Sequence, residues 1–323
     1  MKAIRINETG DPDVMHLEEI ERPVPRRGQV LIKIAAAGIN YADLSQRQGQ
    51  YLTATRLPMT MGFEAAGTVE QLGSDVTSPV VGTRVAAFVA GAYAEYAVGA
   101  AATTVPIPDE LDFNRAAALL VQGVTAYQLL HDSAQLQPGE SVLVHAAAGG
   151  VGTLAVQLAR LLGAGTVIGT ASSEDKLDLA RRLGANLGIN YTDDSWPRQV
   201  REASGGLGAD VILEMVGGEN IERNLQCLAP FGRMVVFGAA SGQPSTMAPT
   251  RLMAKNQTIT GYWLTAWMSR PERVAHAIQQ LLGYIAQRQL EVIVDETFPL
   301  ARAADAHRAI AARRTTGKVV LLV

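Results

Sequence analysis

Ser141-Val142-Leu143-Val144-His145-Ala146-Ala147-Ala148-Gly149-Gly150-Val151-Gly152 decides the architecture of this 323-residue chain. Val142, Leu143 and Val144 read as a strand buried on both faces. From Val151 the period lengthens to that of a helix, with Val151, Leu154, Ala155, Leu158, Ala159 and Leu162 along one stripe of residues 151–163. Strand, glycine-rich turn and helix in that order form the setting of a dinucleotide-binding turn. Gly149, lacking a Cβ, lets the main chain approach a pyrophosphate, and Gly152 lets the helix lie close to the strand. The helix start supplies unpaired N–H groups and a partial positive charge. Ala147 stands where the first glycine of G-x-G-x-x-G is expected, so the loop departs from the general motif.

The unit then repeats. Thr166-Val167-Ile168-Gly169-Thr170 precedes a helix over 174–183, Asn186 to Tyr191 one over 195–203, and Asp210 to Glu214 one over 219–228. Arg233 to Gly238 ends a further strand. Strands and helices alternating in units of roughly 30 residues predict an α/β fold with a doubly wound parallel sheet and right-handed crossovers. Residues 1–122 have a different texture. Gln29 to Ile34, Ala65 to Val69 and Thr83 to Phe88 are short runs punctuated by Gly and Pro, which predicts an irregular β-rich domain. Two domains are therefore expected, 1–122 and 123–264. Residues 265–323, with a helix over 271–288 and a closing strand over 318–323, are expected to return to the first.

Composition narrows the function. The chain has 28 Lys and Arg against 31 Asp and Glu, and it is 48% hydrophobic and 18% charged. That is a compact globular protein with no global field to draw in nucleic acid or an anionic membrane. The apolar stretch 115–130 is interrupted by Arg115 and Gln122, so no membrane span is expected. Met1 to Ile6 goes directly into strand-like alternation without a signal core, which suggests a cytoplasmic location. Cys227 is the sole cysteine, and histidines 16, 131, 145, 276 and 307 are scattered, a poor inventory for zinc. No metal is expected. His145 is expected to be a packed strand-end residue rather than a base. No Gly-x-Ser-x-Gly elbow or Cys–His arrangement argues for covalent catalysis, which leaves hydride chemistry carried by a cofactor.

The second strand–helix turn chooses that cofactor. NAD sites place Asp or Glu about 20 residues after the glycines, on the ribose 2′-hydroxyl. Here the strand ends Gly169-Thr170-Ala171-Ser172-Ser173, with Ala171 at that place and Lys176 one turn into the helix. A missing acid, two hydroxyls and an ammonium suit a 2′-phosphate, and Tyr191 offers a phenolic donor from the next strand end. NADPH is the expected cofactor. The competing reading is that Ser172 caps the helix, Lys176 is solvated, and Glu174 and Asp175 are ordinary first-turn acids.

These residues resemble a known family, the zinc-free quinone oxidoreductases of the medium-chain dehydrogenase/reductase superfamily. The likeness runs through Ala37-Gly38-Ile39-Asn40-Tyr41-Ala42-Asp43, Gly49-Gln50-Tyr51, and Gly62-Phe63-Glu64 to Val69. It continues in Gly123 to Tyr127, His145 to Gly152, Ile189-Asn190-Tyr191, and Arg313 to Val320. Zinc alcohol dehydrogenases of the superfamily carry Cys in the first motif and His in Gly-His-Glu; this chain has Ile39-Asn40 and Phe63. The implied fold is a GroES-like β-rich catalytic domain around a Rossmann domain.

By that resemblance Asn40, Thr125 and Tyr127 fall near the nicotinamide, and Gly150, Val151 and Gly152 at the pyrophosphate. Ser172, Lys176 and Tyr191 fall at the 2′-phosphate. Phe237-Gly238 and Trp263-Leu264 pass near the nicotinamide, and Arg313 approaches the cofactor from the C-terminal side. Leu52 replaces the proline that often follows the tyrosine of the Gly-Gln-Tyr51 motif. Tyr262 to Trp267 is rich in aromatic residues in a chain that is only 5% aromatic. It reads equally as a platform for a flat substrate or as domain or dimer packing.

The leading expectation is NADPH-dependent reduction of a quinone or related conjugated carbonyl, independent of zinc, with Tyr51 and Asn40 as the catalytic candidates. Each equally suits the positioning of the cofactor. An enoyl-thioester or 2-alkenal reductase is the rival within the enzyme class. Outside it stands an NADPH-binding crystallin-like or RNA-binding protein, although the basic residues show no cluster with interleaved aromatics. The family also implies a homodimer joined at the sheet edge near Gln257 to Gly261.

Overall fold

The computed structural model describes all residues, Met1–Val323. They form two compact units, Met1–Gln122 with Val292–Val323, and Gly123–Glu291.

In the first unit six strands run in the order Val294–Pro299, Lys318–Leu322, Gln29–Gly38, Glu64–Leu72, Arg84–Val89 and Tyr96–Pro106. Gln29–Gly38 also pairs with Tyr96–Pro106, so the last four strands close on one another. All pairs are antiparallel except Val294–Pro299 with Lys318–Leu322. Side chains of period two, Val30, Ile32 and Ile34, point into a core shared with Val69, Val85, Ala87, Val319 and Leu321. Val319 and Leu321 therefore explain why the end of the chain returns here: they complete a core that the first 122 residues begin.

The second unit is a six-stranded, wholly parallel sheet. Its order is Leu187–Asn190, Thr166–Ala171, Ser141–Val144, Ala209–Glu214, Leu228–Val236 and Thr258–Gly261. The chain starts mid-sheet and winds outward in both directions, which puts a switch point between Ser141–Val144 and Ala209–Glu214. Val142, Leu143, Val144, Val167, Ile168, Val211, Ile212 and Leu213 are all buried. Helices on both faces of a parallel sheet require such unbroken apolar runs.

The domain expectation needs one correction. Residues 265–291 do not return to the first unit; the chain crosses back only at Val292. Helix Pro271–Ala286 buries Val274, Ala277, Ile278 and Leu281. Its Arg273 bonds Asp132 at 3.0 Å, and beyond it Gln157 bonds both the amide and the carbonyl of Glu291. An apolar stripe shows that a helix has a buried face; it does not show which domain receives that face.

Candidate functional site

Each unit carries its own cluster. In the second, helix Gly150–Leu161 opens directly after the turn, with Gly149 as N-cap. A Cβ at Gly152 would lie 2.1 Å from the Ala146 carbonyl oxygen and 2.8 Å from Ala147 Cα, so only glycine fits. At Gly149 the nearest atom would be 3.2 Å away, a milder constraint. Ala146 itself turns left-handed at φ +48, the conformation glycine usually supplies. The missing first glycine is compensated across the sheet. A Cβ at Gly169 would come within 2.9 Å of the Ala147 Cβ, so the small residue has moved to the neighbouring strand. Gly150, Val151 and Gly152 thus form the first helical turn, whose N–H groups have no intrahelical partner.

The next strand end gathers the 2′-phosphate candidates. The N-cap of helix Glu174–Arg182 is Ser173, which overturns the reading of Ser172 as the cap. Ala171 is buried, and Ser172 and Lys176 are half-buried. Glu174 is drawn back along the helix to Arg181, which also binds Asp178. The Tyr191 amide donates to the Ala171 carbonyl at 3.1 Å, bringing the two strand ends together.

The residues assigned near the nicotinamide diverge more. Thr125 and Tyr127 lie two positions apart on helix Leu120–Gln128, about 200° around its axis. Thr125 bonds the Tyr262 hydroxyl, which donates to Gln128 Oε1 at 2.9 Å. Tyr127 turns to the other side, its hydroxyl 3.2 Å from His276 Nε2 and its ring stacked on His131. Burial pushes its hydroxyl up to about 12. Within the aromatic segment Tyr262 is buried and stacks on Trp267, so this ring belongs to internal packing. Trp263 and Leu264 stay half-buried at the start of helix Leu264–Trp267. Phe237 and Gly238 follow the end of a strand, with the Phe237 amide on the Glu214 carbonyl at 2.9 Å.

In the first unit Asn40 precedes helix Tyr41–Arg47, its backbone N–H donating to Asp43 Oδ2 at 2.7 Å. Its side chain lies within a buried ion pair. Lys318 Nζ donates to Asn40 Oδ1 at 2.7 Å, Asn40 Nδ2 donates to Glu64 Oε1 at 2.9 Å, and Lys318 also bonds that same Glu64 oxygen. Ammonium only donates and carboxylate only accepts, so the amide has one possible orientation. Glu64 Oε2 accepts the Val121 amide at 2.8 Å. A Cβ at Gly38 would sit 2.7 Å from Lys318 Cε and 2.8 Å from Glu64 Oε1, so the pair fits only beneath a glycine.

The cluster continues inward. Asp43 Oδ2 accepts from the Tyr93 hydroxyl at 3.1 Å, and that hydroxyl lies 3.1 Å from His307 Nε2. Burial pushes the Asp43 carboxyl up to about 7, against the hydrogen bond from Asn40 and the charge of Lys318. Burial, then the Arg47 charge, pushes His307 down to about 3. Burial also lowers Lys318, and Glu64 opposes that shift. Tyr51 packs on Phe63 with ring centroids 6.1 Å apart, in the residue next to Glu64. Arg313 is exposed and left-handed, beyond helix Ala303–Ala311.

Sequence reasoning named Asn40 but not Lys318 or Glu64 as its partners. The available signal was a lysine opening the buried run Val319-Val320-Leu321 and an acid inside Phe63-Glu64-Ala65-Ala66. Nowhere do three or more His, Cys, Asp or Glu side chains come together to hold a metal ion. No helix is long and apolar enough to cross a membrane.

The family model described as zinc-binding dehydrogenase matches residues 150–282, and that of the alcohol dehydrogenase GroES-like domain matches 26–109. A quinone oxidoreductase of Pseudomonas aeruginosa is 38% identical, covering 99% of both chains. A 2-haloacrylate reductase of a Burkholderia species is 37% identical over 99% of this chain and 98% of its own. Among solved structures, the Escherichia coli quinone oxidoreductase complexed with NADPH has a TM-score of 0.94 at 33% identity, covering 100% of both chains.

Proposed function

The chain belongs to the quinone oxidoreductase branch of the medium-chain dehydrogenase/reductase superfamily, a family of oxidoreductases, and from that we propose that it reduces a quinone or related conjugated carbonyl with NADPH, without zinc. The observation that carries the reading is the carboxyl edge of the parallel sheet. There a helix start approached as closely as Gly152 allows stands beside a turn with Ala171, Ser172 and Lys176 in place of an acid.

NADPH supplies the hydride when bound. The first turn, Gly150 to Gly152, with Gly149 as its cap, holds the pyrophosphate through backbone N–H groups. Ser172, Lys176 and Tyr191 hold the 2′-phosphate, where an acid would repel it. The family resemblance assigns Asn40 and Tyr51 to the reacting end, and Lys318 and Glu64 fix the direction of the Asn40 amide. A reduced quinone takes its protons from solvent, so no indispensable protein acid is invoked. Zinc independence rests on Phe63 and Ile39-Asn40, which stand where zinc relatives carry His and Cys.

A second reading is favoured by the Burkholderia relative, named a 2-haloacrylate reductase, since hydride addition to an activated alkene uses the same cofactor arrangement. NADPH oxidation with 1,2-naphthoquinone, crotonyl-CoA and 2-alkenals, in the presence of chelator, separates the cases. Turnover of the quinone alone supports the first reading; turnover of the alkenes alone overturns it. Activity that needs added zinc overturns the zinc-free assignment.

A further inference from the structure

His145, the residue before the phosphate turn, has both ring nitrogens engaged. Nδ1 lies 2.9 Å from Thr170 Oγ1 and Nε2 lies 2.7 Å from Asn224 Oδ1. The Asn224 amide nitrogen donates to Glu214, so its oxygen faces His145 and Nε2 carries the ring proton. With a neutral ring, Nδ1 is the acceptor and the Thr170 hydroxyl donates to it. Glu214 ends the series as an acceptor only. It also takes Asn220 Nδ2 at 2.6 Å and the backbone N–H groups of Val216 and Gly217.

Thr170, Asn224 and Glu214 are 0% exposed and His145 is 4% exposed. The Trp196 ring system packs nearly perpendicular to the imidazole, with ring centroids 5.2 Å apart. Thr170, His145 and Glu214 stand at the carboxyl ends of three neighbouring parallel strands. Each strand end leads into one loop: 172–173, 146–149 and 215–219. A second bond, Ala147 N to the Thr170 carbonyl at 2.9 Å, joins the first two loops. Apolar side chains would fill this space without desolvating a carboxylate. What the polar series adds is direction, because the acceptor-only Glu214 fixes the Asn224 amide and Asn224 in turn fixes the proton on Nε2.

We propose that the series Thr170–His145–Asn224–Glu214 positions these three loops as one unit, so that occupancy of the 2′-phosphate turn is felt at residues 215–219. His145 and Thr170 are then positioning residues for the cofactor and not an acid or a base. The inference rests on reading this unit as the NADPH site.

The probe is 2′,5′-ADP, which carries the adenosine end alone, followed by amide hydrogen exchange on the wild-type chain and on Thr170→Val and His145→Phe. Thr170→Val keeps the side-chain shape and removes only the hydroxyl. In the wild type, 2′,5′-ADP should slow exchange at both 171–176 and 216–217. In Thr170→Val, binding should weaken about 3- to 10-fold, as for one lost hydrogen bond, and at saturating probe the protection at 216–217 should vanish while that at 171–176 remains. His145→Phe, if it folds, should behave the same way. Wild-type protection confined to 171–176, or protection at 216–217 that survives in Thr170→Val, overturns the coupling while leaving the cofactor site intact. A wild-type chain that does not bind 2′,5′-ADP overturns the cofactor reading and the inference with it.

Discussion

Lys318 Nζ lies 2.7 Å from Asn40 Oδ1, a contact between residues 278 positions apart that sets the direction of the Asn40 amide. Lysine and Glu64 are each 1% exposed, so the pair is held without water. Removing one partner leaves the other charge buried and unpaired. Lys318→Met should therefore destabilise the fold by about 3–5 kcal/mol. Replacing both partners, as Lys318→Met with Glu64→Gln, should recover at least half of that loss. Chemical denaturation of the two variants checks this; equal losses would show that removing the Glu64 charge does not relieve the penalty left by the lost lysine.

Asp43 makes stability depend on pH in an unusual direction. Its carboxyl is pushed from 3.8 up to about 7, so between those values the native state keeps a proton that the unfolded chain has lost. This contribution is complete below the unfolded value and disappears as pH rises to about 7. His307, pushed down to about 3, acts oppositely: its contribution is present above 6.5 and is lost as pH falls towards 3. Asp43→Asn isolates the first effect, because the new NH₂ replaces an oxygen, Oδ1, that has no hydrogen-bond partner. The stability of the variant relative to wild type should climb by up to about 1.4 kcal/mol per pH unit across the window and level off above it. A constant difference would show that Asp43 does not titrate there.

Lys176→Ala should weaken NADPH binding by about 1–3 kcal/mol, the range for a charge-assisted hydrogen bond, and leave NADH nearly unchanged. Fluorescence titration with both nucleotides gives the answer. Equal losses would make Lys176 a structural residue and remove the 2′-phosphate site from the second strand–helix turn.

Tyr51→Phe distinguishes positioning from proton donation. With a quinone acceptor, KM should rise and kcat should fall by less than about tenfold. A general acid lost from a rate-limiting step would cost about 10²-fold or more in kcat. A variant inactive toward every quinone yet binding NADPH normally would favour the alkene-reducing reading.

Thr258–Gly261 is the last strand of the parallel sheet and pairs within the chain only with Leu228–Val236. Such edges are commonly paired or covered. The proposed assembly is a two-fold homodimer through these strands, and light scattering should give twice the chain mass at micromolar concentration. One chain mass would rule it out.

The sequence alone determined the parallel sheet, because strands buried on both faces must be continuously apolar and each crossover helix needs its own stripe. Val142 to Val144 and Val167-Ile168 show this, and the turn after each is legible in its small and hydroxylated residues. The missing acid at Ala171 was equally plain, since it is a matter of residue type at a known spacing, whereas the reading of Ile39, Asn40 and Phe63 against zinc came from the family resemblance. Other features were decided only in three dimensions. The helix expected over 271–288 was given to the first domain because it breaks the strand–helix rhythm, yet it packs in the second, because a break in rhythm does not name a packing partner. Thr125 and Tyr127 lie close together in the chain, and helical geometry turns them apart. Asn40 was visible as a motif residue, but its orientation comes from Glu64 and Lys318, and that of His145 from Thr170, Asn224 and Glu214. Buried polar groups must find partners wherever the fold brings them, and separation along the chain carries no trace of that pairing.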